Sequence, residues 1–252
     1  MIIFRHKSLE QDYLNRFDIL NKKSASLYSS LIDSTLLKQS STDSQIIELC
    51  QEALQNSFRA VCVPPNYVGL AKKILQNSNV KICSVAAFPL GYCSLDTKIF
   101  EIENLIQNGA DEIDFVQNVT LVKNSNFSEL EKEYKTIVSV AKDKLIKVIL
   151  ETALLSDEEI YKCSFLAALS GVHVVKTSTG FSTRGASLND IEVIKNALSK
   201  YQNETGYYVG IKASGGIRCY QDAVSFVQAG ATRLGTSGGL AIINEKENLS
   251  SY

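Results

Sequence analysis

Short β-branched runs alternate along the chain with stretches whose apolar residues recur at helical spacing. The runs at residues 31–33, 60–63, 81–86, 112–116, 145–151, 172–176, 208–212 and 232–235 predict eight strands. Between them, helix starts are legible. Thr42 and Gln45 have the spacing of a capping box, followed by one apolar face of Ile46, Ile47, Cys50, Ala53 and Leu54. Ser156 and Glu159 repeat that spacing after the fifth run. Helix stops are marked by Gly109, Gly171 and Gly230, each just past an apolar-periodic stretch. These stops recur at intervals of roughly 60 residues, the length of two βα units. Eight strands alternating with helices, without a break in composition, predict a single (β/α)8 TIM barrel over residues 27–252 as the catalytic domain. Residues 1–26 are charged, rich in Ser and Asn, and only loosely helical in spacing, and are expected to form a short helical leader on the outside. A doubly wound open sheet is the alternative, but its commonest fingerprints, G-x-G-x-x-G and G-x-x-x-x-G-K-[ST], are missing.

Composition narrows the chemistry. The 252 residues carry 26 basic and 27 acidic side chains, so no basic excess exists for nucleic acid or an anionic membrane, and a small-molecule partner is expected. No run of about 18 apolar residues occurs, and the opening apolar segment is too short for a signal peptide. Six scattered cysteines without a C-x-x-C pair argue against a zinc site and a disulfide framework; with them a cytoplasmic location is expected. Only two histidines are present, His6 and His173, which puts a three-histidine metal site out of reach of one chain. No metal and no cofactor is therefore expected, and catalysis must lean on lysine, carboxylate, hydroxyl or thiol.

Active sites of such barrels lie at the C-terminal ends of the strands. Here those ends are polar: Asp33, Asp114, Glu151, Lys176 and Lys212. Lys176 and Lys212 each close an apolar run, on the sixth and seventh strands of the eight. One such lysine reads equally well as a side chain that reaches solvent or pairs with an acid. Two on neighbouring strands, about 4.8 Å apart, are harder to explain that way. Like-charge proximity and burial both favour the neutral amine that attack on a carbonyl requires. Asp114 can share a layer with Lys176, where it could hold a proton or simply complete a buried salt bridge. Glycine-rich turns, residues 213–216 and 235–239, follow the last two strands, a place where barrels bind phosphate through backbone N–H groups. Cys62, inside Val61-Cys62-Val63, reads as a small core residue.

These segments carry a family resemblance. Residues 29–242 resemble deoxyribose-phosphate aldolase in Ile32-Asp33-Ser34-Thr35-Leu36-Leu37-Lys38, Val61-Cys62-Val63-Pro64-Pro65 and Phe88-Pro89-Leu90-Gly91. Further matches are Gly109-Ala110-Asp111-Glu112-Ile113-Asp114 and Lys147-Val148-Ile149-Leu150-Glu151-Thr152. The two most specific are Val175-Lys176-Thr177-Ser178-Thr179-Gly180-Phe181 and Ile211-Lys212-Ala213-Ser214-Gly215-Gly216-Ile217-Arg218. The resemblance implies a class I aldolase that interconverts 2-deoxy-D-ribose 5-phosphate with D-glyceraldehyde 3-phosphate and acetaldehyde. It implies Lys176 as the Schiff-base lysine, Asp114 as proton donor or acceptor, and Lys212 as the lysine that tunes it. Substrate and phosphate contacts are implied for Asp33, Thr35, Lys147, Thr179, Gly180, Gly215, Gly216, Gly235, Ser237 and Gly238. The partners implied are the phosphorylated sugar and acetaldehyde, with a homodimer as the assembly considered. Two departures stand out: Ser34, where the family often has histidine, and Arg184, where a small residue is usual. A transaldolase-like or other sugar-phosphate lyase on the same Schiff-base plan, and a non-catalytic phosphate-binding barrel, remain open readings at this point.

Overall fold

Alternation of strands and helices is what the computed structural model shows, describing residues 2–22 and 24–245; residues 246–252 of the expected barrel domain lie outside the described residues. In chain order the elements are β1 (Ile3–Phe4), α1 (Lys7–Lys22), β2 (Ile32–Thr35), α2 (Asp43–Gln55), β3 (Ala60–Val63), α3 (Val68–Leu75), β4 (Lys81–Ala86) and α4 (Leu95–Gln107). There follow β5 (Glu112–Val116), α5 (Val119–Lys123), α6 (Phe127–Ala141), β6 (Leu145–Ile149), α7 (Asp157–Leu169), β7 (Val174–Lys176) and α8 (Leu188–Thr205). The chain continues through β8 (Tyr207–Tyr208), β9 (Gly210–Ser214), α9 (Tyr220–Ala229), β10 (Arg233–Thr236) and α10 (Gly239–Ile243). Eight of the strands close into a parallel barrel in the order β10-β2-β3-β4-β5-β6-β7-β9, so the (β/α)8 class expected from the pattern is the fold.

Local chemistry sets the boundaries. Thr42 and Ser156 cap α2 and α7 in reciprocal capping boxes with Gln45 and Glu159. Ser187 caps α8 in the same way with Asp190, a shorter acid at the N3 position. Gly109, Gly171 and Gly230 all take positive φ just beyond their helices, which terminates them. Five of the eight expected runs have ends shifted by one or two residues, and two of the differences have a visible cause. The run ending at Glu151 stops at Ile149, because Glu151 adopts a left-handed conformation (φ 56°) and starts a short 3-10 turn. Tyr207 and Tyr208 leave the barrel and pair with Ile3 and Phe4 in a separate two-stranded sheet. That small sheet fastens the N-terminal segment, and α1 follows with Leu9, Asp12 and Ile19 buried. The main apolar core lies between the outward faces of the barrel strands and the helices, with Ile113, Phe115, Val148 and Val175 among its buried members. The barrel interior is therefore left to other residues. No described helix is long and apolar enough to cross a membrane.

Candidate active site

Successive side chains of a strand point to opposite faces, so a polar residue at every second position lines one side. Asp33 and Thr35 on β2, Glu112 and Asp114 on β5, Lys212 and Ser214 on β9, and Arg233 and Gly235 on β10 follow that spacing. Register joins them across the barrel: Asp114 is level with Lys147 of β6, Lys176 with Lys212, and Lys212 with Arg233.

Asp114 is the hub. Its Oδ1 accepts from Lys147 Nζ at 2.8 Å, and its Oδ2 accepts from Lys176 Nζ at 2.8 Å and Lys212 Nζ at 2.9 Å. Lys212 also donates to Asp33 Oδ2 at 2.5 Å, and Lys147 lies 2.7 Å from Glu112 Oε2. Below them Arg233 reaches Asp33, Glu112 and Asp12, and Asp12 is shared with Arg59 at 2.7 Å. Four carboxylates (Asp12, Asp33, Glu112, Asp114) thus meet five cations (Arg59, Lys147, Lys176, Lys212, Arg233) in one continuous network. Burial alone would favour a neutral Asp114, but the three ammonium groups overcome it and hold its carboxyl well below the usual range. Burial likewise works against charge on Lys212 and on Lys147. Asp114 and Asp33 nevertheless raise the Lys212 amine above the ordinary lysine range, and Asp114, with Cys83 and Glu112, does the same for Lys147. Cys83 donates to Asp114 Oδ1 at 3.1 Å, beside Cys62. Cys62, Cys83 and Asp114 are spaced closely enough to ligate a metal, as are Asp33, Cys83 and Glu112. Their carboxylates, however, already carry the ammonium and guanidinium partners just described.

Above this network opens a cavity of about 250 Å³, walled by the ends of β2, β7, β9 and β10 and the loops that follow them. Lys176 is the one lysine among its lining residues. Of the other residues singled out in the sequence, Thr35, Thr179, Gly180, Gly215, Gly216, Gly235 and Ser237 line it as well. Asp33, Asp114, Lys147 and Lys212 do not; they lie fully buried beneath Lys176. Gly238 also stands back from the cavity, with its N–H donated to Thr236 Oγ1 at 2.8 Å. Gly235 makes room for the network: a Cβ there would come within 3.0 Å of Lys212 Cε and 2.9 Å of Ser214 Cβ. Arg184, Arg218, Ser182, Thr183 and Thr236 line the cavity without having been expected there. All sit within a few residues of the motifs that drew attention, so the extent of the loops was the usable signal. Asp12, Glu112 and Arg233 were missed for another reason, since their partners lie as far as 221 residues away.

A parallel barrel whose strand ends carry a buried amine beneath a loop-walled cavity has the architecture of a (β/α)8 enzyme. Comparison with known proteins makes that class specific. The profile of the DeoC/LacD family aldolases matches residues 28–245, and the chain belongs to that family. It is 45% identical over 221 residues to the deoxyribose-phosphate aldolase of Streptococcus uberis, a match that covers 88% of this chain and 97% of that one. With the same enzyme of Mycoplasma capricolum the identity is 42%, over 88% of this chain and 96% of the relative. Among solved structures, the deoxyribose phosphate aldolase of Aeropyrum pernix, described as a tetramer, superposes with a TM-score of 0.78 at 32% identity, covering 93% of this chain and 96% of its own.

Proposed function

We propose that this chain cleaves 2-deoxy-D-ribose 5-phosphate reversibly to D-glyceraldehyde 3-phosphate and acetaldehyde, through a Schiff base on Lys176. The observation that carries the reading is the placement of Lys176. It is the lysine of the cavity wall, and its Nζ has a single carboxylate partner where Lys147 and Lys212 have two each. Three ammonium groups converge on the one carboxylate of Asp114, and like-charge proximity disfavours keeping all three charged. The amine with fewest partners, at the edge of the cavity, is the one placed to be released as a nucleophile.

The steps follow from that amine. Lys176 Nζ attacks C1 of the open-chain sugar, and loss of water gives an iminium. The C2–C3 electron pair flows into the iminium while the C3 hydroxyl gives up its proton, so glyceraldehyde 3-phosphate departs and an enamine remains. Protonation at C2 and hydrolysis return the free lysine and acetaldehyde. Asp114 fixes the amine in place and serves the proton transfers beside it; with its carboxyl held so low, a proton placed there is passed on to a neighbour. Lys212, kept cationic between Asp33 and Asp114, supplies a constant positive charge next to the reacting nitrogen. The iminium provides the electron sink from the chain's own side chain. The sugar phosphate is received by Thr179, Gly180, Gly215, Gly216 and Ser237, which line the cavity together with Thr35. The reading includes a cytoplasmic enzyme acting as a homodimer, and sedimentation velocity checks the assembly. Activity is checked by supplying 2-deoxyribose 5-phosphate and measuring acetaldehyde by coupled reduction. Turnover by the wild type and its loss in Lys176→Met is expected; turnover retained in Lys176→Met would overturn the assignment.

A further inference from the structure

One wall of the cavity is the loop between β7 and α8, residues 177–187, and it is tied down at both ends. Near its start, Thr179 gives both its backbone N–H and its hydroxyl to the carboxylate of Glu151, the former at 3.3 Å. Near its end, Arg184 turns towards α8. Its Nη1 donates to Asp190 Oδ2 at 2.6 Å and its Nη2 to Asp190 Oδ1 at 3.0 Å, the bidentate arrangement that fixes a guanidinium most firmly. Nη2 also donates to the Thr152 carbonyl at 3.2 Å and Nη1 to the Gly185 carbonyl at 2.9 Å. Asp190 is buried and holds more than the arginine: it accepts from Thr152 Oγ1 and from the Ser187 N–H, each at 2.9 Å. One carboxylate therefore gathers the cavity loop, the start of α8 and the turn after β6.

What this tie controls is the residue next to it. A Cβ at Gly185 would lie 2.2 Å from the Gly215 carbonyl oxygen, and a Cβ at Gly215 would lie 2.8 Å from Gly185 Cα. The two main chains are in direct contact there, and the Ala186 N–H donates to the carbonyls of Ser214 and Gly215, each at 3.1 Å. Gly215 and Gly216 both take φ of +82°, open to glycine and strained for other residues, and they lie between Ser214, which is held to Thr177 and Ser178, and Ile217, whose carbonyl accepts from Thr236. Between those anchors, Gly185 is what packs most closely against Gly215.

We infer that Arg184 is a positioning residue for phosphate recognition: paired with Asp190, it clamps Gly185 onto Gly215 and fixes the glycine turn that receives the substrate's phosphate. This rests on the reading above, that the turn receives a phosphate. Arg184 is 43% exposed in its side chain, yet its Nη groups are directed at Asp190 and main-chain carbonyls. It acts on the phosphate through the turn.

The test compares wild type, Arg184→Ala, Asp190→Asn and the double variant on 2-deoxyribose 5-phosphate and on unphosphorylated 2-deoxyribose. Arg184→Ala is expected to raise KM for the phosphorylated sugar by about tenfold, the worth of one charge-assisted hydrogen bond, with little change in kcat. Its kcat/KM for 2-deoxyribose should hold. Asp190→Asn should shift KM in the same direction, and the double variant should be no worse than the poorer single one. A lower KM in Asp190→Asn would overturn the inference, because it would mean that a freed guanidinium binds phosphate directly. So would an unchanged KM in Arg184→Ala, or equal losses on both sugars accompanied by a lower Tm. Calorimetric titration with inorganic phosphate keeps the two readings apart. Should the wild type fail to cleave the sugar, the proposed function falls, while weaker phosphate binding by Arg184→Ala than by wild type still supports the clamp and equal binding sinks it.

Discussion

Each lysine of the site is defined by how many carboxylates it touches. Lys212, between Asp33 and Asp114, is a fixed cation, and removing it takes away a like charge that shares Asp114 Oδ2 with Lys176. In Lys212→Leu, Lys176 keeps Asp114 Oδ2 without a competing ammonium group, so turnover at pH 7 should fall by at least about a hundredfold, equivalent to roughly 2.7 kcal/mol. The loss should shrink as the pH is raised. Lys212→Arg restores the charge without a transferable proton, so partial recovery marks an electrostatic role and none marks proton transfer. A wild-type pH–rate profile in Lys212→Leu would contradict this account. Gly235 gives a second check at the same scale. Its missing Cβ leaves space against Lys212 Cε and the less mobile Ser214 Cβ. Gly235→Ala should cost about 1–3 kcal/mol in denaturant unfolding and reduce activity with it; unchanged stability would show that the network gives way freely. Among the residues themselves, the lysine pair and Asp114 were legible because a charged side chain ending an apolar strand is anomalous. The back-set position of Gly238 was not, because a glycine in a glycine-rich turn carries no mark of which way its N–H faces.

At the scale of elements, local signals were strong. The capping boxes at Thr42 and Ser156 and the three glycine stops fix helix ends through contacts within four residues, which is why they could be read directly. The exceptions are tertiary. Tyr207 and Tyr208 join Ile3 and Phe4 across the whole chain, and their aromatic, β-forming character alone does not distinguish that partner from the barrel. The same corner holds His173, whose Nδ1 accepts from the Ile146 N–H at 3.0 Å. Burial first, then His6 and Arg5, push the His173 imidazole down to about 4. The unfolded chain takes up that proton near pH 6.5 and the folded chain only near 4, so stability contributed above pH 6.5 is lost as the pH falls through that window. His173→Asn, which keeps an acceptor for Ile146, should flatten the slope of unfolding free energy between pH 6.5 and about 4. An unaltered slope would place the titrating group elsewhere.

Across the whole molecule, the buried network binds the N-terminal segment to the reaction centre. Asp12 of α1 accepts from Arg59 on the outer side and Arg233 on the inner, and Arg233 continues to Asp33 and Glu112. Sequence could show neither link, because α1 and β10 stand at opposite ends of the chain and only barrel closure brings them together. Asp12→Asn leaves Arg233 paired with Asp33 and Glu112 and Arg59 within reach of water, so it should destabilise the protein by about 1–3 kcal/mol, the loss of charge-assisted hydrogen bonds, as seen in chemical denaturation. A loss within experimental error would mean that α1 merely lies against the barrel. The claim at the centre of the account is the covalent bond at Lys176, and borohydride reduction in the presence of acetaldehyde tests it most directly. The account predicts a two-carbon adduct on the peptide carrying Lys176, absent from Lys176→Met; an adduct on Lys147 or Lys212, or none at all in an active enzyme, would contradict it.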